Sequence, residues 1–167
     1  MFREVVESIT HIRARGRVPF FRMVLLTNAS GLDLPVVRDG LKLFGSQDEI
    51  WAKIDVGTQS AMDLVNRSVV PLSRVLENIL AVARERPVVI QSLFTAVESR
   101  RLPPSEIVEF ANRLKELKDG GAQIPLVQIY SANRPSPNEH CRHLGLRELS
   151  AIAQQVRAIS GLHAEVF

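Results

Sequence analysis

Lys53 and Asp55 stand two residues apart at the end of an otherwise apolar segment, EIWAKID. Residues two apart on a strand share a face, so this spacing puts an amine and a carboxylate side by side. Such a pair can hold a polar ligand, or the lysine can serve as a Schiff-base nucleophile as in lyases and aldolases. Other apolar segments are interrupted in the same way. Asn28 follows PFFRMVLLT, Gln91 sits inside VVIQSLF, and Gln128 and Tyr130 alternate in PLVQIYS, with Arg134 just beyond. An unpaired buried polar group costs about 1–3 kcal/mol, so such residues must either pair with one another or line a cavity. In the first reading Lys53 and Asp55 form a structural ion pair with the glutamines as hydrogen-bond partners. In the second they line a polar pocket, and the recurrence on every apolar segment favours this one.

Smaller signals weigh less. His140, Cys141 and His143 lie within four residues, but nothing else in the chain supplies a second pair of zinc ligands. The sequence therefore predicts a solvated loop and no metal site there. No base is assigned to Cys141, so it is not read as a nucleophile. Trp51 alternates with Ile50 and Ala52 and is expected to pack in the core or against a helix. The pairs Arg84/Arg86 and Arg100-Arg101 read as solvated positions at helix ends and in loops.

The elements that must position these residues alternate. Val5, Ile9 and Ile12 at helical spacing predict an amphipathic helix over 2–15, closed by Gly16. Strands are expected over 19–27, 49–55, 87–94 and 125–131, with a short last one at 163–167. Helices are expected over 35–44 (Asp33 as cap, Pro35 in the first turn), over a short stretch near 60–65, and over 73–86, 105–118 and 146–159. Residues 133–145 read as a long loop. The repeat of about 35 to 40 residues is that of βα units. Such units build a parallel sheet through right-handed crossovers. The expected fold is one α/β domain over 1–167, with ligands beyond the carboxyl ends of its strands. The chain starts on a helix, where a regular βα protein would have a strand.

Composition narrows the function classes. The chain has 167 residues, 46 % of them hydrophobic and 23 % charged, with a formal net charge of +3. The positive charge is spread out and aromatics are only 5 %. A nucleic-acid partner is thus permitted but not indicated. One cysteine excludes an intrachain disulfide and makes a reducing cytoplasm the default expectation. No run approaches the roughly 18 apolar residues of a membrane span, and the N-terminus lacks the apolar core of a signal peptide.

Five segments carry a resemblance: LLTNASGL at 25–32, DEIWAKIDVGT at 48–58, VNRS at 65–68, VVIQSLF at 88–94 and VQIYSANRPSP at 127–137. In this order and spacing they resemble the radical S-adenosylmethionine enzymes, nearest to the wyosine-type tRNA-modification branch. That branch has a Thr-Asn turn, a Lys-x-Asp strand, an Asn-Arg pair and an Arg-Pro after a late strand. Ser68 stands where it usually has Pro after Asn-Arg. The likeness covers nearly the whole chain and corresponds to the C-terminal two-thirds of the family's core domain. It implies an incomplete parallel (β/α) barrel of four to five strands with helices outside, lacking the first two strands of the full barrel.

The resemblance also implies roles. Asn28, Lys53, Asp55, Gln91 and Gln128 would contact S-adenosylmethionine, and Tyr130 and Arg134 the substrate, whose identity stays open. In intact members a Cys-x3-Cys-x2-Cys loop holds a 4Fe-4S cluster that supplies the redox chemistry. That motif is missing here, and Cys141 does not match it. The expectation is a truncated family member, inactive by itself, that holds neither cofactor securely. The alternative is a non-catalytic binding or assembly module. The open edge at FFRMVLLT would then be covered by a second copy or by a complementary N-terminal segment.

Overall fold

The computed structural model describes residues 1–16, 21–97, 102–131 and 141–167, without the side chains of Val97 and Cys141. Its elements are helix α1 (Phe2–Arg15), β1 (Val24–Thr27), α2 (Pro35–Leu41), β2 (Glu49–Lys53), α3 (Gln59–Val65), α4 (Leu72–Glu85), β3 (Val89–Leu93), β4 (Thr95–Val97), α5 (Pro104–Asp119), β5 (Val127–Tyr130), β6 (Cys141–His143), α6 (Leu146–Ser160) and β7 (Ala164–Val166). β1, β2, β3, β5 and β7 form one sheet in that order, and every neighbouring pair is parallel. Strands added in sequence by right-handed crossovers place their helices on a single face. The result is an α/β fold with an open five-stranded parallel sheet, as an incomplete barrel requires.

Burial follows from this one-sided cover. Ile50, Ala52, Ile90, Val127, Ile129 and Ala164 point under the helices and are fully buried. They meet Ile79, Phe110, Leu114 and Val156, which face the sheet from α4, α5 and α6. Phe110 packs edge-to-face on Phe94, with ring centroids 5.3 Å apart. The alternate residues of the same strands lie on the uncovered face. Trp51 is one of them. It is half-buried there and donates its Nε1–H to Glu49, so it is not the helix-packing aromatic that its apolar neighbours suggest.

Three other expectations are corrected. On α1 the buried residue is Val6, whereas Val5 and Ile12 are 50 % and 62 % exposed. The helix turns Phe2 and Arg13 inward instead. A β-carbon on Gly40 of α2 would fall 2.6 Å from the Phe2 ring, and Arg13 reaches Asp48. Asp33 does not cap α2. Its carboxylate bonds Arg74 and Asn78, and Leu34 takes the cap position with Pro35 next to it. Part of the expected late loop is strand β6, antiparallel to β4, with Thr95 opposite His143. Among the described residues no helix is long and apolar enough to cross a membrane.

Candidate functional site

The uncovered face is graded along its strands. Near the strand starts it carries Val24, Leu26, Trp51 and Val89, and Leu26 is 54 % exposed. One turn of the pleat further the residues become polar. The register sets Lys53 beside Gln91, Gln91 beside Gln128, and Gln128 beside Glu165. Four adjacent strands thus present one transverse polar row. Three members come from the sequence reading, and the register brings them together. Glu165 escaped it, because period-2 alternation gives a residue's face but not its level across strands.

The row is loosely bonded. Gln91 donates its Nε2–H to Gln128 Oε1 at 3.4 Å, and Tyr130 Oη donates to Gln91 Oε1 at 3.5 Å. Both distances lie at the long end for hydrogen bonds. The glutamines therefore bond each other and Tyr130 and do not serve the Lys53–Asp55 pair. Arg134 and His140 lie outside the described residues.

Asp55 stands beside Lys53, as the spacing suggests, but most of its bonding is to other groups. It lies past the end of β2, and its side chain is 5 % exposed. Its Oδ1 accepts the Leu93 N–H at 2.8 Å, and its Oδ2 accepts Nδ2–H of Asn66 at 2.9 Å. Lys53 Nζ stands 3.6 Å from Oδ2, beyond hydrogen-bond range. Asp55 is thus a tie between β3 and the Asn66 turn, and most of the donor capacity of Lys53 remains open.

The segment after Asp55 is fixed by a residue the sequence reading passed over. Glu106, in the first turn of α5, is buried. It accepts the N–H groups of Gly57 and Thr58 at 2.6 and 3.0 Å, and the Thr58 hydroxyl at 2.7 Å. Thr58 Oγ1 in turn caps α3 by accepting the Ala61 N–H. This close approach needs glycine at 57, where a β-carbon would lie 2.0 Å from the Phe110 nitrogen. Local sequence offers no signal for a contact made 49 residues away.

A cavity of about 380 Å3 opens beyond the ends of β1 and β2. Its lining includes Asn28 and Ser30 from the turn after β1, Lys53 and Asp55 from the end of β2, and Asn66, Arg67 and Ser68 after α3. Asn28 Oδ1 accepts both the N–H and the hydroxyl of Ser30, which closes the turn after β1. Ala29 between them has φ 62°, and Arg67 has φ 49°. These are the only non-glycine residues with positive φ among the described residues, and both belong to the turns that form this cavity. Left-handed backbone costs an L-residue about 1–2 kcal/mol.

No protein-family model matches the sequence, and no curated protein matches it significantly. Among solved structures the chain is similar to a domain of pyruvate-formate lyase-activating enzyme from Bacteroides vulgatus. The TM-score is 0.68 at 14 % identity, and the match covers 99 % of this chain and 93 % of that one. At that identity the similarity is one of fold.

Proposed function

We propose that the carboxyl end of the open sheet is the S-adenosylmethionine-binding wall of a radical S-adenosylmethionine-type barrel. The observation that carries this reading is the in-register polar row Lys53–Gln91–Gln128 on the uncovered face of a parallel sheet. The ordered motifs of the sequence and the fold shared with an activating-enzyme domain support it. The residues fit the amino-acid end of the cofactor. Lys53, with one long contact at 3.6 Å, has donors for a carboxylate. The amide oxygens of Gln91 and Gln128, held only by long bonds, can accept from an ammonium group. Asn28 closes the cavity on the β1 side, and Tyr130 stands one level beyond the row for substrate.

The cluster does not fit. A 4Fe-4S centre takes three or four cysteine thiolates, and the sequence contains one cysteine. This chain therefore supplies a binding wall. The reductive chemistry that the cluster gives to such enzymes would need cysteines from another polypeptide segment.

Isothermal titration of the chain with S-adenosylmethionine tests the reading. Saturable binding that weakens at least about tenfold in Lys53→Met, the loss of one charge-assisted contact, is the expected result. Absence of binding, or equal affinity in the variant, would overturn it. A second reading, docking of another polypeptide strand, is favoured by the exposed Leu26 on edge strand β1. Light scattering across a concentration series checks it for self-association, where a monomer throughout would count against pairing of two copies.

A further inference from the structure

We infer that the cavity beyond β1 and β2 holds an oxyanion group of the substrate, a phosphate ester or a carboxylate, with Arg67 as its main ligand. The inference rests on reading this end of the sheet as a ligand site, and it names a substrate class that the cofactor reading leaves open.

The first observation is electrostatic. Two cations, Lys53 and Arg67, line the cavity with one carboxylate, Asp55. The oxygens of Asp55 already accept from Leu93 N–H and from Asn66, and its side chain is almost wholly buried. Arg67 is exposed and has no ion pair among the described residues. Lys53 also faces the cofactor's carboxylate in the cofactor reading, so the positive charge reserved for a substrate oxyanion is that of Arg67. The donors left around the cavity are the Lys53 ammonium and the Arg67 guanidinium, a set suited to an oxyanion; the Ser68 hydroxyl already donates to the Val70 carbonyl at 3.1 Å.

The second observation is conformational. Arg67 ends α3. Its N–H donates to Met62 O at 3.0 Å, and its φ is 49°. This is the helix-terminating position where glycine is the ordinary choice. An arginine held there in left-handed backbone keeps a strained conformation for its side chain. Among the described residues the other strained non-glycine, Ala29, sits between two residues, Asn28 and Ser30, that line the same cavity. Strain gathered around one cavity marks a site in which geometry serves binding.

The test titrates the isotope-labelled chain with methyl phosphate and, separately, with acetate. Amide shifts of Asn28, Lys53, Asn66, Arg67 and Ser68 are followed by NMR. Saturable shifts centred on these residues are expected. Comparison of the two titrations assigns the phosphate or the carboxylate source. Arg67→Gln should weaken the tighter ligand at least about fivefold. Arg67→Gly should weaken it as much while raising Tm by about 1–4 °C, since relieved strain exceeds the added chain entropy. No saturation by either ion, or undiminished affinity in Arg67→Gln, overturns the inference. So does a lower Tm in Arg67→Gly, which would show that the arginine is kept for stability. Titration of the unaltered chain with S-adenosylmethionine is read separately. Its failure would remove the cofactor reading while leaving an Arg67-dependent anion site standing.

Discussion

Strand β2 has a buried aspartate near each end, and the two serve opposite purposes. Asp48, just before the strand, has a fully buried side chain. It accepts from Arg13 of α1 at 2.6 Å and from the N–H groups of Met23 and Gly45 at 2.9 and 2.8 Å. Nearby, Arg86 donates to the carbonyls of Leu41 and Gly45 and lies 5.5 Å from the Phe44 ring centre. At this end every guanidinium just named has a partner within the fold. Asp55, beyond the other end, is also buried, yet its oxygens go to a backbone N–H and an amide. The cations around it, Lys53 at 3.6 Å and Arg67, are left with donors to offer. The same residue type closes one end of the sheet and leaves the other end receptive, and the difference lies in whether a cation is matched to it.

The largest effect that follows concerns the closed end. Removing one partner of a buried pair leaves the other uncompensated, and such losses reach about 3–5 kcal/mol. Arg13 keeps some solvent contact, with 26 % of its side chain exposed, so Asp48→Ala should cost about 3 kcal/mol. Urea unfolding measures it. Binding at the opposite end should persist, because nothing at Asp48 touches the cavity.

Asp55→Ala should cost less. It removes two hydrogen bonds and no close ion pair, a loss of about 1–2 kcal/mol. Its distinctive mark is local: amide exchange should quicken at Leu93 and in residues 66–68, which the carboxylate ties together. A loss as large as that of Asp48→Ala, with no local change in exchange, would break the contrast between the two ends.

The legible part of the molecule was what repeats locally. Apolar runs set off by Pro and Gly, together with helical spacing, placed the five parallel strands and the main helices. Parity within a strand also put Lys53 with Asp55, and Gln128 with Tyr130, on one face. What stayed hidden depends on distant partners. The transverse row, including Glu165, needs the register between strands. Glu106 finds Gly57 from another element, and the three-residue strands β4 and β6 pair across a long separation. Trp51 and Val5 were misplaced for a related reason: an apolar residue does not announce that the face it occupies lacks a cover.

The smallest effect, and the sharpest check on the two aspartates, is in pH. Burial pushes the Asp48 carboxyl up, but the hydrogen bonds from Arg13, Met23 and Gly45 and the Arg13 charge outweigh it. The group is held below the usual carboxylate range. A carboxyl with a lower value in the folded than in the unfolded chain adds stability that is fully present above the unfolded value, near 4. That contribution is lost as pH falls through the folded value. Unfolding free energy of the parent should therefore decline below about pH 4, whereas Asp48→Asn, already less stable at neutral pH, should decline less steeply. Urea titrations at a series of pH values from 5 downward compare the two slopes. Parallel slopes would mean that the carboxylate of Asp48 is not what closes this end of the sheet.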